Sequence, residues 1–241
     1  ALGSSSAQVS ATSEKPMVVP GSPTAVTLEV VSDTKLRANF SPPGSDGGDS
    51  VTSYSITYTT DSTFATGVTT ESFTTLSGGA PFSRTLSGLT TGSYYFVRVA
   101  ACNSRGCSGT TSSTPSSLNP HRAPDGPINV LLRTTSHSML SVSFESGYNG
   151  GDAIQTYRVE WDTAGAFNSG SPSPHKGYVD LDASIYSSYT VQYLTANQQY
   201  YVRVFAGNSA GFSVATNASP SSSAPSVQIP GKPHTIAAIT G

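Results

Sequence analysis

Hydrophobic residues recur at every second position in six stretches of this chain, arranged as two sets of three. The first set is Leu36/Ala38/Phe40, Tyr54/Ile56/Tyr58 and Tyr95/Val97/Val99/Ala101. The second is Leu140/Val142/Phe144, Tyr157/Val159/Trp161 and Tyr200/Val202/Val204/Ala206. Period two places alternate side chains on one face of a strand, so each stretch predicts a β-strand with one face on a core. Turn-forming segments separate the stretches, such as Ser41-Pro42-Pro43-Gly44 and Gly147-Tyr148-Asn149-Gly150-Gly151. About seven short strands per hundred residues suggest a Greek-key sandwich of two sheets.

The two sets are copies of each other. Tyr95-Phe96-Val97-Arg98-Val99-Ala100-Ala101-Cys102-Asn103-Ser104-Arg105-Gly106 returns 105 positions later as Tyr200-Tyr201-Val202-Arg203-Val204-Phe205-Ala206-Gly207-Asn208-Ser209-Ala210-Gly211. Gly47-Gly48-Asp49 returns as Gly150-Gly151-Asp152, and Pro23, Val26 and Leu28 return as Pro127, Val130 and Leu132. A repeat of this length is one domain rather than a solenoid unit. The predicted domains span residues 20–119 and 120–229. Pro230-Gly231-Lys232-Pro233 resembles Pro20-Gly21-Ser22-Pro23, so residues 230–241 read as the start of a further repeat. Residues 1–19 read as the tail of a preceding repeat or a linker.

The residues around each third strand carry a family likeness. Leu89-Thr90-Thr91-Gly92-Ser93-Tyr94-Tyr95, followed by Val97-Arg98-Val99, Ala101, Asn103 and Gly106, resembles the E–F corner and F strand of fibronectin type III domains. Leu194 to Tyr200, followed by Val202-Arg203-Val204, Ala206, Asn208 and Gly211, does the same. The resemblance implies two immunoglobulin-like, seven-stranded all-β sandwiches in tandem. It makes Tyr95 and Tyr200 tyrosine corners, whose hydroxyls bond nearby backbone at the crossover between sheets. The second-strand aromatic, usually Trp in that family, is Phe40 in one repeat and Phe144 in the other.

Composition narrows the function. Charged residues are only 11% of the chain, Ser and Thr exceed a quarter, and the net charge is −2. The basic residues are scattered, which disfavours nucleic acid as a partner. No run reaches the length of apolar membrane span, so no membrane insertion is expected within this segment. No phosphate loop, His-Glu zinc motif or serine elbow occurs, so neither catalysis nor a cofactor is expected. Asp46, Asp49 and Asp152 lie beside Gly-Gly turns, which account for the local composition better than calcium does.

Cys102 and Cys107 flank the tight turn after the sixth strand. A bridge there would staple the hairpin, contribute about 2 kcal/mol or less, and point to an oxidising compartment. Two free thiols or half of a metal site are the alternatives, with His121, His137, His175 and His234 too dispersed to favour zinc. Arg105-Gly106 is followed by Cys107, so the integrin-binding Arg-Gly-Asp of fibronectin is absent. Asn39-Phe40-Ser41 and Asn217-Ala218-Ser219 fit the N-glycosylation pattern, each with Pro next. The segments 108–117, 169–174 and 216–226 are rich in Ser, Thr and Pro, and read as flexible connectors or O-glycosylation substrates.

The outward face of the third and sixth strands is the expected partner surface. It comprises Thr57, Thr59, Tyr94, Phe96 and Arg98 in the first domain, and Arg158, Glu160, Tyr201, Arg203 and Phe205 in the second. Aromatics beside Arg suit a protein contact or sugar stacking. The leading expectation is therefore a secreted, extracellular or cell-surface structural and adhesive repeat, a spacer or assembly segment of a larger glycoprotein or fibre. Its partners would be other protein chains, copies of itself, or glycans. A ligand-binding receptor ectodomain and an accessory module of a secreted carbohydrate-active enzyme are the alternatives.

Overall fold

A computed structural model describes residues 16–74 and 80–226, so most of 1–19 and all of 230–241 lie outside the described residues. The chain divides after Pro120 into two compact units, each with its own core. Unit one contains β1 (Thr24–Ser32), β2 (Lys35–Ser41), β3 (Ser53–Thr59), β4 (Thr69–Thr74), β5 (Phe82–Leu86), β6 (Tyr95–Asn103), β7 (Gly106–Cys107) and β8 (Thr111–Leu118). Unit two repeats the series as β9 (Ile128–Ser136), β10 (Met139–Glu145), β11 (Thr156–Asp162), β12 (Gly177–Asp182), β13 (Ser188–Val191), β14 (Tyr200–Asn208), β15 (Gly211–Phe212) and β16 (Thr216–Ser223). The seventh strand of the expected sandwich is thus broken in two in each unit.

Hydrogen bonding in unit one runs β4-β3-β6-β8-β1-β2-β5, with β7 on β6, and unit two follows the same order. A single parallel pair, Thr27 with Thr114, joins β8 to β1, and Leu131 with Ser219 does so in unit two. That narrow link lets the ladder fold into two facing layers, β1-β2-β5 against β4-β3-β6-β8. Leu36, Ala38, Phe40, Tyr54, Ile56, Val97, Val99 and Ala101 meet between them. In unit two Leu140, Val142, Phe144, Tyr157, Val159, Val202, Val204 and Ala206 do the same. Phe40 packs on Tyr54 with ring centroids 4.9 Å apart, and Phe144 on Tyr157 at 4.8 Å, so Phe fills the space expected of Trp.

Two expectations are corrected by the strands. The Ser/Thr-rich segments 108–117 and 216–226 are not plain connectors: most of each is β8 or β16, with Ser113 and Ala218 turned into the protein. Their polar residues suit a strand whose other side faces water. Thr57 and Thr59, expected outward, are buried. Thr57 Oγ1 lies 3.3 Å from Thr70 Oγ1 on β4, and Thr59 Oγ1 donates to Thr66 O at 2.7 Å. A turn folded by the chain's own loop covers this end of β3, which a period-two rule does not include.

Each unit also grips the segment that enters it. Asn103 and Asn208 are buried, and their Nδ2 groups donate to backbone carbonyls. Asn103 reaches Val18 O at 2.8 Å and Asp46 O at 2.9 Å, while Asn208 reaches Arg122 O at 2.8 Å and Asn149 O at 2.9 Å. The entering backbone lies so close that a Cβ at Gly47 or Gly150 would stand 2.3 Å from Val18 O or Arg122 O. Both glycines also have positive φ, so two separate constraints select Gly there.

Candidate contact face and the tyrosine corners

The hydroxyl of each corner tyrosine accepts a backbone amide: Thr90 N to Tyr95 at 3.0 Å and Thr195 N to Tyr200 at 3.1 Å. Their surroundings differ. Tyr200 is 0% exposed, and the His175 imidazole lies nearly parallel to its ring with Nδ1 2.7 Å from its hydroxyl. Trp161 Nε1 closes the same corner by donating to Pro174 O at 2.8 Å. Tyr95 is half-buried beside a cavity of about 480 Å³.

On the outward face of unit two, register places Arg158 between Asp180 on β12 and Phe205 on β14, and Glu160 between Tyr178 and Arg203. Arg158 bonds Asp180 through two nitrogens at 2.7 and 2.8 Å. Arg203 Nε donates to Glu160 at 2.7 Å. Both guanidiniums also stack on aromatic rings. Arg203 lies 4.0 Å from the centre of Phe167 and 5.2 Å from that of Phe205. Arg158 lies 4.6 Å from both Phe212 and Tyr178. Phe205 meets Phe212 edge to face at 6.4 Å, which joins the two halves into one ladder. A paired, stacked guanidinium has surrendered much of its rotamer freedom before any partner arrives.

Phe96, Arg98, Tyr201, Arg203 and Phe205 are all half-buried rather than freely exposed. The chain covers its own aromatics: Phe205 lies under Arg203 and Phe212, and Tyr201 lies against Gly165. Of the expected surface Tyr94 is freely exposed, at 57%, but the two ladder residues of unit two that project furthest were not singled out from the sequence. They are Tyr178, 63% exposed, and Phe212, 41% exposed. Period two along β12 marks Tyr178 as outward, but its value comes from Arg158 on the preceding strand, β11. On the matching face of unit one, Arg98 stacks on Phe64 at 4.1 Å, opposite Thr57 rather than an acid. Its Nε is buried with no hydrogen-bond partner.

The carboxylates near the turns serve backbone amides. Asp49 accepts from Ser104 N at 2.9 Å, and Asp152 from Ser209 N at 3.1 Å and Ser209 Oγ at 2.6 Å. Hydrogen bonds from Ser104 hold the Asp49 carboxyl below its ordinary 3.8. Burial alone would raise Asp152, but the Ser209 bonds and nearby His121 outweigh it and the net shift is downward. Asp162 is likewise lowered, as bonds from Ser169, Ala164 and Lys176 overcome its burial. The Arg158 bond lowers Asp180. Among the described residues no cluster of His, Cys, Asp and Glu is arranged to hold a metal ion.

Cys102 and Cys107 face each other across the β6–β7 hairpin and are bridged. The matching pair in unit two is Gly207 and Phe212, with the Phe212 ring lying directly over the glycine. Of the two sequons, Asn217 is exposed, whereas Asn39 is half-buried with its Nδ2 3.4 Å from Glu29 Oε1.

A sequence model of the fibronectin type III domain matches residues 21–118 and again 123–222. Human ankyrin repeat and fibronectin type-III domain-containing protein 1 is 37% identical over 106 residues, covering 44% of this chain and 9% of that protein. Mouse neogenin is 27% identical over 200 residues, covering 82% of this chain and 12% of its own length. The chain therefore spans about a tenth of either relative. A solved structure of chicken CNTN1 FN1-FN3 domains is 17% identical, with TM-score 0.42, covering 84% of this chain and 69% of that one.

Proposed function

This chain belongs to the fibronectin type III family, and on that premise we propose that it is a non-catalytic spacer and contact segment of a larger extracellular adhesive or structural protein. The bridged Cys102–Cys107 pair supports an oxidising, cell-surface or secreted setting. The similarity to neogenin over both units supports a general adhesion or surface role. A surface-fibre or assembly segment is the reading we favour within that class.

The observation that carries a contact role is the cation–π ladder of unit two. Arg and aromatic residues are enriched at protein interfaces, and side chains already ordered lose little entropy on docking. The two ion pairs make the face nearly neutral, which suits a protein surface rather than a strongly charged polymer. In this reading the face formed by Tyr178, Arg158, Phe212 and Arg203 packs against another copy of the chain. Amide hydrogen exchange at low and high protein concentration tests this. Protection that grows with concentration on β11, β12 and β14 is expected. Concentration-dependent protection confined to unit one would overturn it.

A further inference from the structure

Unit two contains, within its own fold, an occupant for the space beside its tyrosine corner. The loops from β3 to β4 and from β11 to β12 are anchored by equivalent pairs, Tyr58 with Thr69 and Trp161 with Gly177. Two residues before Thr69 stands Gly67, and two before Gly177 stands His175. The unit-two loop, residues 163–176, is longer than the unit-one loop, residues 60–68, and carries Pro174 and His175 onto the corner. Gly67 brings no side chain, and a Cβ there would meet nothing closer than Thr59 Oγ1 at 3.7 Å. The cavity that remains is lined by Tyr58, Thr60, Thr69, Thr90 and Tyr95, among others.

Its chemistry matches the missing imidazole. The Tyr95 hydroxyl accepts the Thr90 amide, which leaves its own proton to donate. Tyr200 stands in the same relation to Thr195, and its hydroxyl lies 2.7 Å from His175 Nδ1. The lining residues carry hydroxyls and two tyrosine rings but no acid or base, which favours a neutral ring over an ion. The Tyr58 ring is held by its bond to Glu71 at 3.1 Å and meets Tyr95 edge to face at 6.4 Å. We infer that the cavity at the unit-one corner is a peptide-binding site that takes a Pro–His pair from another protein chain. The imidazole hydrogen-bonds the Tyr95 hydroxyl as His175 Nδ1 does that of Tyr200, and the preceding proline lies towards Tyr58.

The test uses the full chain with ¹³C-labelled tyrosine rings and a capped peptide copying residues 171–177, Ser-Pro-Ser-Pro-His-Lys-Gly. Saturable shifts are expected at Tyr58 and Tyr95, with Kd on the order of a millimolar, because a free peptide lacks the millimolar effective concentration a tether supplies. Replacing the peptide histidine by alanine is expected to weaken binding about tenfold, one hydrogen bond plus ring contact. Gly67→His fills the cavity from within, at a positive φ that His tolerates better than most residues, and is expected to abolish the shifts. Should that variant fail to fold, Tyr95→Phe removes the hydroxyl, both the donor to the peptide and the acceptor of the Thr90 amide, while keeping the ring, and is expected to weaken binding about fivefold. Equal binding of the alanine peptide, or shifts produced by a neutral disaccharide and not by the peptide, would overturn the proposal.

Discussion

In unit one a disulfide spans the hairpin after β6; in unit two the Phe212 ring lies over Gly207 at the same place. Unit one leaves its tyrosine corner open, whereas unit two covers it with His175 and Pro174. On the outward face of the third and sixth strands, unit one stacks Arg98 on Phe64, and unit two threads Arg158 and Arg203 among Tyr178, Phe212, Phe167 and Phe205. Beneath these differences the hydrogen bonds coincide. Asn103 and Asn208 hold the entering segment, Tyr95 and Tyr200 hold their corner amides, and Ser108 and Ser213 accept the amides of Ala101 and Ala206. The shared groups each satisfy backbone that would otherwise be buried without a partner, and this costs too much to omit. Many of the divergent groups, His175, Arg158, Arg203 and Phe212 among them, are half-buried or exposed, where that penalty is smaller.

From that division, the largest effect should fall on the shared latch in both units alike. Asn103→Leu and Asn208→Leu each strand two or more carbonyls, and about 3 kcal/mol of the host unit's stability should be lost. Calorimetry should record a fall of about 15 °C in one transition, at roughly 5 °C per kcal/mol for a domain this size. Next comes a feature of unit one alone. Cys102→Ser with Cys107→Ser should cost unit one about 2 kcal/mol or less and leave unit two unchanged. Smaller again, and confined to unit two, His175→Ala should cost about 1 kcal/mol, because Tyr200 keeps its Thr195 bond. A loss in the other unit in either of these two experiments would break the comparison.

The gentlest discrimination is by acid. Carboxyls lowered in the folded state stabilise it above their unfolded value, and that contribution disappears as pH falls through the folded value. Asp49, Asp61, Asp152, Asp162, Asp180 and Asp182 are all lowered from an ordinary 3.8, so stability should be flat near neutrality and fall below about pH 4. Four of the six, including Asp162 paired with Lys176 at 3.3 Å, lie in unit two, against Asp49 and the strongly lowered Asp61 in unit one, so unit two should lose more over this range. Thermal melts between pH 5 and pH 2.5 would check the order of loss.

The framework was legible because it is written in short-range order. Leu89 to Tyr95 and Leu194 to Tyr200 announce their corners, and Leu36/Ala38/Phe40 announces an inward face through period two alone. The hairpin of Cys102 and Cys107 could be read from five residues of spacing. What stayed hidden depends on loops returning through space. Nothing local in Asn208 says that it bonds Arg122, 86 positions away, and nothing in Thr59 says that Thr66 folds over it. The ladder was half legible. Arg203 and Glu160 face each other by simple register, but Phe167, Phe212 and Tyr178 arrive from a loop, a hairpin and an edge strand. The expected surface therefore named the middle of the ladder and omitted the two residues that project from it.

The central proposal is that copies of the chain meet through unit two's ladder. Sedimentation velocity across a concentration series measures this directly, using the wild type, the double variant Tyr178→Ser/Phe212→Ser, and Tyr94→Ser as an exposed control in unit one. The wild type and Tyr94→Ser should associate as concentration rises, and the double variant should remain monomeric while both units still melt cooperatively, unit two at a lower temperature because Phe212 also packs on Gly207 and Phe205. A wild type that stays monomeric throughout, or a double variant that associates as the wild type does, would contradict it.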